Sequence, residues 1–102
     1  DMGGRIEGMQ TPGGTGACRL AFALAQKAGV KRVLMGVPSW PNHAQILADL
    51  GLEVVSFPHA RSDGQADLDA LLGALANAGA GDAVLIHGCC HNPTGVDYTA
   101  ED

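Results

Sequence analysis

After a glycine-rich start, apolar residues fall at Ala17, Leu20, Ala21, Leu24, Ala25 and Ala28, the i, i+3, i+4 spacing of one helical face, with Gly29 behind them as a stop. The spacing predicts a helix from about Thr15 to Ala28. Val33-Leu34-Met35 then forms a short apolar run without alternation, as expected of a strand covered on both faces, and Pro38 ends it. The same grammar repeats twice. Pro41 suits a first helical position, Ile46, Leu47 and Leu50 supply an apolar face, Gly51 stops the helix, and Val54-Val55-Ser56-Phe57 reads as a strand. Asp67 can cap a helix whose face is Leu68, Leu71, Leu72 and Leu75; Gly79 closes it, and Ala83-Val84-Leu85-Ile86 follows, reading as the most buried strand of the three. Helices alternating with short apolar strands predict an α/β fold around a parallel sheet with right-handed crossovers. The polar stretch from Pro58 to Ala66 reads as a surface loop, and no linker divides the 102 residues.

Composition narrows the partners. Hydrophobic residues are 46% of the chain and charged residues 17%, a balance that argues for a packed core and against disorder. A net charge of -5 with only 6 Lys and Arg argues against nucleic acid or an anionic membrane surface, since both require a clustered positive field. The expected partner is small. Three cysteines, two of them the neighbours Cys89 and Cys90, do not make a disulfide framework, so reduced thiols and a cytoplasmic location are expected. No apolar run approaches the roughly 20 residues of a membrane span, and Asp1 to Gln10 lacks the pattern of a signal peptide.

In open parallel sheets, ligands sit beyond the carboxyl ends of the strands, which directs attention to Pro38 to His43, Pro58 to Gly64 and His87 to Gly95. A fourth feature is Thr11-Pro12-Gly13-Gly14-Thr15-Gly16, a flexible loop running into a helix. Its free N–H groups and the positive helix end favour a phosphate, with the Thr15 hydroxyl as a further donor; equally, it reads as a glycine-rich turn with Thr15 as the N-cap. Neither the G-x-G-x-x-G fingerprint nor a Walker loop fits, because Arg19 stands where the third glycine belongs and no Lys follows the glycines. In Pro38-Ser39-Trp40-Pro41-Asn42-His43, the only Trp can stack on an aromatic ligand, although a lone Trp is more often core and His43 more often a hydrogen-bonded, partly buried histidine. His87 to Gly95, HGCCHNPTG, reads as a turn, or as a site where the Asn92 amide both donates and accepts toward a polar ligand. A metal site through His87, Cys89, Cys90 and His91 is disfavoured, because adjacent cysteines do not readily share one tetrahedral zinc and no second ligand pair occurs.

Together, QTPGGTGA at Gln10 to Ala17, PSWPNH at Pro38 to His43 and HGCCHNPTG resemble the aspartate and aromatic amino-acid aminotransferases, class I enzymes that use pyridoxal 5'-phosphate. The resemblance implies a three-layer parallel-sheet fragment of the fold-type I transferase large domain, covering the chain from about Gln10 onward, in enzymes about four times longer. By the same resemblance, Gly13, Gly14 and Thr15 would cradle the cofactor phosphate. Trp40 would pack on the pyridine ring near the substrate carboxylate, and Asn92 would hydrogen-bond the phenolic oxygen and border the substrate. His43 and His87 would stand behind them, helping to position the carboxylate that pairs with the pyridine nitrogen. Cys18 stands where relatives commonly have Leu.

The resemblance also marks what these residues lack. Lys27 and Lys31 lie away from the expected ligand end, so the lysine that bonds the cofactor is not among them, and Tyr98 is not the family's phenol partner. The chain is thus expected to be part of a longer protein and to carry no catalytic residue and no metal. The implied activity of that protein is amino transfer between an aspartate-like or aromatic L-amino acid and a 2-oxo acid such as 2-oxoglutarate, in a homodimer, with the isolated segment inactive. The alternative is a non-catalytic phosphate-binding or assembly module of the same fold. The coding sequence downstream of Asp102 separates the two, since the module would lack a Ser-x-x-Lys segment, a pyridine-pairing Asp and a late Arg.

Overall fold

A computed structural model describes residues 3–102. Its elements alternate as expected: α1 (Gly13–Lys27), β1 (Arg32–Val37), α2 (Pro41–Asp49), β2 (Glu53–Pro58), α3 (Leu68–Ala76) and β3 (Ala83–Leu85). The strands form one parallel sheet in the order β2-β1-β3, with Val33 opposite Val54 on one side and Ala83 on the other. The chain therefore moves outward from β1 to β2, then crosses back past β1 to β3. Right-handed crossovers taken in opposite directions put their helices on opposite faces of the sheet, and the packing agrees. Phe22 of α1 and Ile46 and Leu47 of α2 pack with Val33 and Leu52 on one face, while Leu71 of α3 packs with Leu34 and Phe57 on the other. The result is three layers, helix on sheet on helix.

Local sequence explains most boundaries. Pro41 takes the first helical position of α2, where its missing N–H costs nothing. Asp67 caps α3, its Oδ1 accepting the Ala70 N–H at 2.9 Å. The start of α1 differs from expectation: the helix opens at Gly13 rather than Thr15, Pro12 occupies the cap position, and no side chain caps it. Thr15 is thus in the first turn and is not an N-cap. Gly79 does not close α3, which ends at Ala76 with Asn77 as its C-cap; the Gly79 N–H instead donates to Asp82 Oδ2 at 2.8 Å.

Three expectations about burial are corrected. The last strand is not the most buried. β3 is an edge strand, with Ile86 just beyond it 51% exposed, whereas β1, paired on both sides, holds Val33 at 1%. The apolar face expected on α1 is also not the covered one. Leu20 and Leu24 face outward and Phe22 is buried, with Cys18 one turn before it against the same core. α1 is apolar around much of its circumference, so the large Phe22 ring rather than the commoner aliphatic spacing selects the buried stripe. Likewise Leu71 alone of the α3 face is buried, and Leu72 and Leu75 are exposed.

Candidate functional site

The carboxyl ends of β1, β2 and β3 deliver side chains to one continuous run of rings. Trp40, which ends the loop after β1, meets the edge of His43 at 5.2 Å between centroids. His43 meets His87 edge-on at 5.4 Å, and His87 stacks on His91 at 4.2 Å. His91 lies nearly parallel to His59 at 3.6 Å, and His59 meets the edge of Tyr98 at 5.3 Å. Every one of the chain's 4 histidines is in this run. Such pairs contribute about 0.5–1.5 kcal/mol each beyond the area they bury, so the run binds the three carboxyl-end loops into one unit.

Hydrogen bonds fix the rings. Ser39 Oγ lies 2.9 Å from His43 Nδ1, which anchors the buried His43 at the start of α2. The Asn92 backbone N–H donates to His87 Nδ1 at 3.1 Å, so the proton of a neutral His87 resides on Nε2. Thr94 Oγ1 lies 2.7 Å from His91 Nδ1 and accepts the Val96 N–H at 3.1 Å. His59 bonds through Nε2 to the Val96 carbonyl. Close packing beneath His59 explains Gly36, where an added Cβ would lie 3.2 Å from the His59 Cβ and 3.3 Å from Phe57.

Burial favours the neutral form of His43, His87 and His91. It lowers the pKa of His43, with His87 adding to the effect, and that of His87, with His59 adding and Asp97 opposing. His91 is lowered furthest, to about 4, first by burial and then by His59 and His87, against the pull of Asp97. Asp97 is held below the usual carboxylate range by the N–H groups of His91 and then Cys90. Cys90 is raised, first by its hydrogen bond with Cys89.

The expected site residues fall into two groups. Trp40, His43, His87 and Asn92 are brought together, the last through its backbone bond to His87, with the Asn92 side chain exposed. Gly13, Gly14 and Thr15 form the exposed start of α1, and no ring contact or side-chain hydrogen bond among the described residues ties them to this run. Among the described residues the ring contacts reach α1 at Phe22, whose centroid is 6.5 Å from that of His43, about 13 Å along the helix from Gly13. Gly13 adopts φ +76°, and a Cβ added at Gly13 or Gly14 would meet nothing within 4 Å. The Gly13 N–H donates to the Thr11 carbonyl at 2.9 Å, and no side chain caps the N–H groups that follow it in the first turn of α1, an arrangement that fits a phosphate. Lys27, the last residue of α1, and Lys31, just before β1, stand at the opposite end of the sheet.

His59, Asp97 and the ring of Tyr98 were not expected here. His59 falls inside the stretch read as a surface loop, yet it is 4% exposed; its signal was its place directly after a strand, inside a segment already expected at the ligand end. The pocket that His59, His87, His91 and Tyr98 line holds about 10 Å³, room for one water and not for a cofactor. Cys89 and Cys90 are exposed, and among the described residues no group of three or more His, Cys, Asp or Glu is arranged to hold a metal. No described helix is long and apolar enough to cross a membrane.

An open parallel sheet whose strand order reverses beside its first strand, with polar side chains gathered beyond the carboxyl ends at that reversal, is the architecture of an α/β ligand-binding domain. The chain matches the family Aminotransferase class I and II over residues 4–102 and belongs to it. It is 50% identical to aspartate aminotransferase of Escherichia coli K12 over 99 residues, covering 95% of this chain and 25% of that protein. It is 46% identical to tyrosine aminotransferase of Rhizobium meliloti over 91 residues, covering 88% of this chain and 23% of that one. The fold superimposes with a TM-score of 0.84 on an aromatic amino acid aminotransferase from Burkholderia cenocepacia J2315, at 36% identity over 91% of this chain and 24% of that one. An aromatic-amino-acid aminotransferase from Burkholderia pseudomallei, covalently bound to pyridoxal phosphate, also gives 0.84, at 34% identity over 89% and 23%. The chain spans about a quarter of the length of the curated relatives it matches.

Proposed function

We propose that this chain is the cofactor-facing part of the large domain of a cytoplasmic, homodimeric aminotransferase that uses pyridoxal 5'-phosphate. The enzyme transfers an amino group between an aspartate-like or aromatic L-amino acid and a 2-oxo acid such as 2-oxoglutarate. The observation that carries the reading is the contact run joining Trp40, His43, His87 and the Asn92 turn at the ligand end of a family-matched sheet. The cofactor, when bound, withdraws electrons from the substrate so that its α proton can leave. In this reading Gly13, Gly14 and Thr15 cradle its phosphate at the positive end of α1, through backbone N–H groups of the first turn and the Thr15 hydroxyl. Trp40 packs on its ring and excludes water, and the Asn92 amide orients its phenolic oxygen and borders the substrate. Neutral His43 and His87 stand behind Trp40 and Asn92 and keep both in register.

The test mixes pyridoxal phosphate, an amino donor and 2-oxoglutarate with the purified segment, and in parallel with a full-length polypeptide that carries it. The full-length protein should form oxo acid over many turnovers, and the segment should bind the cofactor weakly with no turnover. Sustained oxo-acid production by the segment would overturn its proposed incompleteness, and a full-length protein that neither binds the cofactor nor transfers an amino group would overturn the functional reading.

A further inference from the structure

The Asn92 side chain is exposed, so what the structure holds in place there is its backbone. Three successive backbone N–H groups around it are held by side chains. Those of Cys90 and His91 donate to the two oxygens of Asp97, at 2.9 and 2.8 Å, and that of Asn92 donates to His87 Nδ1 at 3.1 Å. Asp97 lies on the far side of the turn, so one carboxylate closes the loop across its mouth. The loop has need of such a clamp, because Cys90 is in the left-handed region at φ 54°, a conformation that residues with a Cβ rarely adopt. Both Asp97 bonds are charge-assisted, and the carboxylate stays ionised well into the acid range.

We propose that Asp97 is a positioning residue: by gripping the Cys90 and His91 N–H groups it aims the Asn92 carboxamide at the cofactor. This rests on the reading of Asn92 given above. In the full-length polypeptide, pyridoxal phosphate affinity and the visible absorbance of the bound cofactor, titrated with pH, are measured for Asn92→Ala, Asp97→Ala and the double variant. Asp97→Asn serves as a second probe of the clamp, since it keeps the size of the side chain where truncation impairs folding. Each single variant should weaken cofactor binding about tenfold, the loss of one orienting hydrogen bond, and shift the absorbance midpoint in the same direction. The double variant should be no weaker than Asn92→Ala alone, because Asp97 acts through Asn92. Losses that multiply in the double variant, or an Asp97→Asn protein with wild-type affinity and midpoint beside an impaired Asn92→Ala, overturn the inference alone. An Asn92→Ala protein indistinguishable from wild type overturns the reading of Asn92, and the inference with it.

Discussion

The two ends of the sheet are held together by opposite means. At the carboxyl ends, imidazoles pack on one another and meet Trp40 and Tyr98 edge to face, and hydroxyls and backbone groups satisfy their nitrogens. At the amino ends, Arg32 at the start of β1 makes a paired contact with Asp82 just before β3, a full ion pair near solvent. Each partner reinforces the charge of the other, through their shared hydrogen bonds first. A charged pair at the rim tolerates water and small shifts, whereas a buried run of rings tolerates neither. The end proposed to face the cofactor is thus built from parts that hold their places by shape.

This contrast can be broken most strongly at Gly36. Gly36→Ala drives a methyl group against His59 and Phe57, and a loss of about 2 kcal/mol is expected in denaturant unfolding, the usual penalty of overpacking. A variant as stable as the wild type would mean that the rings yield easily. Acid comes next. Unfolded His91 takes up a proton near 6.5 and the folded form only near 4, so the unfolded state binds more protons between these values. The contribution of this histidine is therefore complete above pH 6.5 and lost as pH falls toward 4, and His43 and His87, also lowered, add to the loss. Asp82 is depressed instead, so the rim pair survives that window and weakens only as pH falls below the ordinary carboxylate value of 3.8. Melting temperatures should decline from pH 6.5 downward in the wild type and less steeply in His91→Gln; equal slopes would contradict the neutral-ring account. The smallest effect belongs to Asp82→Asn, which should lower the unfolding midpoint less than Gly36→Ala, with the difference vanishing in molar salt.

The alternation of elements was legible because each helix has an apolar period and a stop, and each strand a short apolar run. What the pattern left open was which apolar surface is covered. Ala83 to Ile86 looks as buried as Val33 to Met35 in sequence, yet only sheet order makes β1 central, and that order follows from the direction in which the chain crosses back. The motifs made Trp40, His43, His87 and Asn92 visible, since their neighbours in sequence are also their neighbours at the ligand end. His59 reaches the Val96 carbonyl across 37 residues, a relation that no local pattern encodes. Asp97 acts back across a turn on residues that carry no sign of needing it.

The order β2-β1-β3 also sets a timetable for the nascent polypeptide. Of these three strands the one in the middle is made before its two neighbours, and the second of them arrives about 50 residues later, the separation of Arg32 from Asp82. At ribosomal speeds of about 5–20 residues per second, Val33, Leu34 and Met35 wait several seconds with one flank bare. Birth of the protein thus includes an interval in which a stretch destined for burial is on display, and chaperone capture of ribosome-bound chains should rise there.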